Sequence, residues 1–210
     1  MSGRIPLAGL AAVICLPACT GSLFQSKTVP PTVYMLSGAP AAAASGTAAA
    51  APLPVDLAVL KPRLRPGLET DRIAVLYPDR RLDYFADARW SGALNEVLQD
   101  FAVQEFHSRG NLRTVSGDAS VFASAYWLEI EVIDFQAEYL PATAAPTVRV
   151  HLRARLGRSG DRRIIGQFES NALQAAAQNR LGSIVDAYEH AADTALAKLV
   201  ADTDAALVNP

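Results

Sequence analysis

Residues 126–139 read YWLEIEVIDFQAEY, and this stretch decides the fold. Leu128, Ile130 and Val132 alternate with Glu129 and Glu131, the period of two that a half-buried strand requires. Then the phase slips. Ile133, Phe135, Ala137 and Tyr139 carry the apolar face onward, with Asp134, Gln136 and Glu138 opposite. Two adjacent apolar residues, Val132 and Ile133, mark the slip. One extra residue in a β-bulge there keeps a single face buried along the whole length. The stretch is predicted to be one long bent strand.

Its partner follows the loop at 141–146. Val148, Val150, Leu152, Ala154 and Leu156 alternate with Arg149, His151, Arg153 and Arg155. Antiparallel pairing that matches both faces puts Glu138 opposite Arg149, Gln136 opposite His151 and Asp134 opposite Arg153. Beyond the bulge, Glu131 meets Arg155. An acidic strand against a basic one specifies register by charge, each exposed pair contributing roughly 0.2–1 kcal/mol. The arginine row is thereby read as a solvated sheet face, not an anion site.

The remaining elements are shorter. Residues 32–37 (TVYMLS) and 55–60 read as strands, the second ending at Pro62. Residues 72–77 (RIAVLY) and 82–86 (LDYFA) flank the turn Pro78-Asp79-Arg80-Arg81 and form a hairpin. Ser91 is placed to cap a helix running to about Arg109, with Leu94, Val97, Leu98, Phe101 and Ala102 as its apolar stripe. Residues 163–172 give another strand. A last helix spans about 181–200, with its stripe running from Leu181 through Ile184, Tyr188 and Ala192 to Leu199. Strands, helix, strands, helix implies an α+β domain over 32–200. Its expected form is a mainly antiparallel β-sheet with both helices packed on one face. Residues 201–210 are left as a tail, and the Ala/Pro-rich stretch 39–52 as a flexible insertion or a short helix.

The N-terminus sets the compartment. One positive charge, Arg4, precedes the apolar run IPLAGLAAVICL at 5–16. That run is too short to cross a bilayer as a helix and has the length of a signal core. Leu16-Pro17-Ala18-Cys19 follows and resembles the lipobox of bacterial lipoproteins. Leu16, Ala18 and Cys19 fit it, and Pro17 is an unusual occupant of its slot. Residues 1–18 are thus expected to be removed as a signal peptide, leaving Cys19 to carry lipid. Each buried CH₂ of such lipid adds about 0.8 kcal/mol, so several chains hold a soluble domain stably. The plainer alternatives are an ordinary signal peptide cut elsewhere, or a buried helix with a chance cysteine. Residues 19–31 form the anchor and tether. Thr20 after the cysteine leans toward the outer membrane by analogy with lipoprotein sorting.

The chain has 210 residues and a formal net charge of −2, with no dense block of one sign, which argues against a nucleic-acid binder. Cys15 and Cys19 are its only thiols. His107, His151 and His190 fall on separate elements without metal-ligand spacing. No phosphate loop, dinucleotide fingerprint or Gly-x-Ser-x-Gly elbow occurs. Glu129 and Glu131 face arginines, so a solvated sheet face outweighs a catalytic pair. No enzyme and no cofactor is expected. Aromatics gather at Tyr77, Tyr84, Phe85 and Trp90. Tyr34, Tyr84, Trp90 and Tyr139, large amphipathic residues near strand ends, are the candidates for partner or lipid contact, against core packing as the ordinary role.

The stretch TDRIAVLYPDRRLDYFADARWSGAL (70–94), Tyr34-Met35-Leu36 and the 126–139 strand together resemble the ABC-type transport auxiliary lipoproteins, the PqiC-like group. The resemblance covers about residues 32–200. It implies an accessory lipoprotein facing the periplasm that docks an MCE-domain (mammalian cell entry) substrate-binding protein at the outer membrane, for phospholipid or other hydrophobic substrates. A homo-oligomer around that partner is compatible with it. The competing roles are a direct lipid carrier with an apolar cavity, and a structural or regulatory envelope lipoprotein such as an assembly factor or cell-wall synthase activator.

Overall fold

A computed structural model describes residues 30–37, 52–117, 123–141 and 143–208. The expected signal segment 1–18, Cys19, nearly all of the tether and all but the last residue of the 39–52 insertion lie outside those residues. In chain order the elements are β1 (Thr32–Tyr34), β2 (Leu53–Val59), β3 (Arg63–Leu64), β4 (Arg72–Leu76), β5 (Leu82–Trp90) and α1 (Leu94–Arg109). Then come β6 (Leu112–Ser116), β7 (Tyr126–Glu138), β8 (Thr147–Arg158), β9 (Ile164–Ala175) and α2 (Leu181–Val208).

The decisive stretch is one strand, β7, and it is paired along both edges. On one side β8 runs antiparallel to it from Tyr126↔Arg158 to Glu138↔Thr147. On the other side three short strands lie parallel to it in succession. β2 takes Tyr126 to Leu128, β3 takes Glu131 and Val132, and β4 takes Ala137 and Glu138. Residues 53–76 are in effect one strand interrupted where Pro62 and Pro66, lacking an N–H, cannot feed a ladder. β6 extends the sheet beyond β2, β5 and β1 extend it beyond β4, and β9 extends it beyond β8. The α+β architecture is as expected, and its longest ladders, β7–β8 and β8–β9, are antiparallel. The parallel pairings of β1, β2, β3, β4 and β6 were not foreseen.

The bulge falls where the phase slips, between Val132 and Asp134. It keeps Leu128, Ile130, Val132, Phe135 and Ala137 on one buried face. Ile133, expected on that face, is instead the extra residue. It is half-buried and lines an outer cleft with Leu76, Leu82 and Asp134. The freed Ile133 carbonyl accepts from Arg65 Nη1 at 3.2 Å.

The charge-derived register is displaced by two residues. Arg149 lies opposite Gln136, His151 opposite Asp134, Arg153 opposite Glu131 and Arg155 opposite Glu129. A slip of two leaves every side chain on its face, so alternating charge does not distinguish the two alignments. Gly157 does. It lies opposite Trp127, whose indole occupies the space a Cβ would need. The expected register would have put Ser159 there.

Both helices cover the same sheet face: Leu98 of α1 and Ala192 and Leu196 of α2 meet Ile130, Val132, Val150 and Leu152. α1 starts at Leu94 rather than from a Ser91 cap, because the Thr70 carbonyl accepts the Leu94 N–H at 3.1 Å. At the centre, Trp90, Phe135 and Tyr188 pack ring against ring with centroids 5.1–5.9 Å apart, and the Tyr188 hydroxyl donates to the Ala74 carbonyl. α2 runs on to Val208, so most of the expected tail is helix. Thr203 and Leu207 continue its buried stripe. Asp204 ties this last turn to the α1–β6 link by accepting the Asn111 N–H at 2.9 Å. Its other oxygen is buried without a partner among the described residues, and burial pushes the carboxyl above the ordinary carboxylate value.

Two outcomes follow from this packing. Gly157→Ala should destabilise the domain by about 1–3 kcal/mol in urea denaturation, the range for overpacking. In a Trp127→Ala background the same glycine change should cost much less, and additive effects would contradict the packing of the ring on Gly157. Asp204→Asn should be more stable than the parent at pH 7. The parent's Asp204 contribution is fully present below the unfolded value of about 3.9 and is lost as pH rises through the raised folded value. The gap between the two proteins should therefore close on acidification. A gap independent of pH would place the effect elsewhere.

Candidate functional site

The interior is filled. The apolar void between the sheet and the two helices, lined by Leu98, Ile130, Val150 and Leu196 among others, measures about 10 Å³. That is close to the minimum for one water, and an acyl chain does not fit. Two regions of the surface stand out among the described residues.

The first is the sheet face opposite the helices. Sign alternates from strand to strand: Arg63 from β3, Glu129, Glu131, Asp134 and Glu138 on β7, Arg149, His151, Arg153 and Arg155 on β8, Glu169 on β9. Side chains at every second position of a strand share a face, which is why the sequence lines these charges up in columns. Glu129 takes Arg155 at 2.7 Å and Arg63 at 3.2 Å, from the strands on either side. Glu138 accepts from Arg149 Nε at 2.8 Å, a diagonal contact that survives the two-residue displacement. His151 has Nδ1 3.5 Å from Asp134 and Nε2 2.6 Å from Glu169. The His151 contact, with Arg153 adding to it, holds the Glu169 carboxyl below the usual carboxylate range. Arg63, Glu129, Glu131, Arg153, Arg155 and Glu169 surround a shallow depression. Exposed pairs of this kind contribute about 0–1 kcal/mol each to stability. Their larger effect is to present fixed charges of both signs to whatever approaches.

The second region is the end of the sheet where β4, β7 and β9 finish and β5 and β8 begin. Tyr77 and Tyr139, at the ends of β4 and β7, stack with centroids 5.7 Å apart and planes 9° from parallel. Arg81 lies over the Tyr77 ring at 4.5 Å. The Tyr139 hydroxyl donates to Asn179 Oδ1 at 2.7 Å, and burial raises its phenol above the ordinary value. Leu82, Leu140 and Leu173 are 39%, 47% and 58% exposed at this end.

The four aromatic candidates do not converge. Trp90 is a core residue, 2% exposed, because the alternation of β5 turns Ala88 and Trp90 inward. Tyr34 is half-buried beside it, paired in register through parallel β1 and β5. Tyr84 is half-buried, its hydroxyl donating to the Gly67 carbonyl at 2.7 Å and its ring under the Arg72 guanidinium at 4.1 Å. Only Tyr139 belongs to the strand-end group. Leu140 and Leu173 were missed. The available signal was the absence of any Asp, Glu, Lys or Arg from 139–148 and 170–179.

With this geometry in hand, the comparisons with known proteins are specific. A family model described as ABC-type transport auxiliary lipoprotein component matches residues 34–202. No curated protein matches the chain. The crystal structure of protein XCC0632 from Xanthomonas campestris is similar with a TM-score of 0.73 and 23% identity, over 83% of this chain and 95% of that one. The structure of an uncharacterised protein gives a TM-score of 0.65 at 13% identity, over 83% and 99% of the two chains. The hypothetical protein CT253 from Chlamydia trachomatis gives 0.53 at 14% identity, over 75% and 100%. At these identities the likeness is one of fold.

Proposed function

The chain belongs to the family of ABC-type transport auxiliary lipoprotein components, and from that premise we propose that it docks an MCE-domain substrate-binding protein of an ABC transporter at the outer membrane. Cys19 carries the lipid, residues 1–18 are removed, and the 19–31 tether holds the domain in the periplasm. The partners move phospholipid or another hydrophobic substrate, and the lipoprotein performs no chemistry of its own.

The filled interior is the observation that carries this reading over a lipid carrier: with a void of about 10 Å³ the domain acts through its surface. The uncovered sheet face is the surface offered to the protein partner. Its columns of fixed charge discriminate among partners more than they add affinity, since like charges brought together cost several kcal/mol.

Mass spectrometry of the protein from its native host should find an acylated Cys19 as the first residue. A bare thiol, or retention of 1–18, overturns the anchor. For docking, an MCE-domain protein of the native host should co-purify with it. Arg153→Glu with Arg155→Glu should weaken that association roughly tenfold or more while leaving the melting temperature within a few degrees. Undiminished association would remove the sheet face as the docking surface.

A further inference from the structure

The strand-end region is built differently from the rest of the surface. Three connections meet there: 77–81 between β4 and β5, 139–146 between β7 and β8, and 176–180 between β9 and α2. The second has no charged residue, and the third has none before Arg180. In the first, Arg81 lies 3.7 Å from Asp79 and 3.3 Å from Asp83, and Arg80 beside it is exposed. Leu140 follows Tyr139 directly, Leu82 opens β5 in the cleft it shares with Arg80 and Asp134, and Leu173 lies opposite Arg149 two residues before the end of β9; all three are exposed. Single exposed leucines are ordinary. Three from three different strands or their ends, beside two tyrosines and two connections free of charge over 139–146 and 176–179, are compatible with a surface at a membrane–water boundary, with the basic turn 78–81 at its edge.

Chain direction makes the same point independently. β1 is parallel to β5, with Thr32 beside Ala88 and Tyr34 beside Trp90. β5 itself starts at Leu82, in this region. The N-terminal end of β1 therefore points toward the strand-end side. Residues 20–31 reach at most about 40 Å when fully extended, which keeps the domain close to whatever holds Cys19.

We propose that this end of the domain, presenting Leu82, Leu140, Leu173, Tyr77 and Tyr139, rests on the lipid surface to which the chain is anchored. The sheet face then stands roughly upright from that surface, its charges free for a protein partner. The proposal rests on the lipoprotein reading for the nearness of the membrane, and it is tested without relying on native acylation. The chain from Cys19 onward is coupled through that thiol to a maleimide-headgroup lipid in phosphatidylethanolamine–phosphatidylglycerol vesicles. Leu140→Trp and Leu173→Trp serve as probes, Ile164→Trp at the opposite end of β9 as control, and emission of the unsubstituted chain is subtracted for Trp90 and Trp127.

Brominated phospholipid should quench the indoles introduced at 140 and 173 at least about twofold more than the one at 164, while aqueous iodide should quench them less. Quenching by iodide alone would mean that this end stays in water, and the proposal fails. Protection from both quenchers would mean that a second copy covers it, and the proposal also fails. Failure of native acylation would appear only in the mass of the host-derived protein, so the two readings fall separately.

Discussion

The fold depends on one strand having neighbours on both edges. β7 gives one edge to β8 over its full length and the other to three short strands laid end to end. An unpaired amide in a buried strand costs about 1–3 kcal/mol, so this double pairing lets thirteen residues cross the body of the domain. The interrupted strand of 53–76 is the unusual part. Its breaks at Pro62 and Pro66 fall beside the bulge region of β7, and Arg65 reaches from one break to the carbonyl that the bulge sets free. Two irregularities thus satisfy each other.

Double pairing also divides the molecule. With β7 central, one sheet face takes both helices and the buried side chains Ile130, Val132, Val150 and Leu152, and the other carries charge. Among the described residues the space between sheet and helices is closely packed. The open face is ionic throughout, whereas the strand-end region joins two connections without charge, 139–146 and 176–179, to the charged turn 78–81. On the proposed reading the first meets a protein partner and the second the lipid surface.

How much of this was legible varies with the strength of each physical signal. The bulge was legible because burial tolerates no phase error, and Val132-Ile133 could not be read otherwise without exposing half the strand. The register was not, since charge repeats every second residue along both strands. Gly157 facing Trp127 was the asymmetric feature that would have chosen between alignments. β3 and β6 escaped notice because they are two and five residues long with little alternation. The parallel pairings are set by tertiary contact with β7 and leave no local mark. In the site, Trp90 looked like a surface aromatic because it ends a strand, yet its parity with Ala88 already pointed inward. Thr203 and Leu207 continued the stripe of α2, but the polar run Asp202-Thr203-Asp204 disguised it.

The placement of β1 has a mechanical consequence. Only three residues join it to β5, in parallel register, so a load along the strand axis acts on all three pairings. A pull transmitted through Pro30 in that direction loads the bonds of the short ladder together, in shear, instead of opening them one after another as a zipper. A small attachment arranged in this way resists tugging better than its length suggests, and sideways strain is the direction in which it would give first.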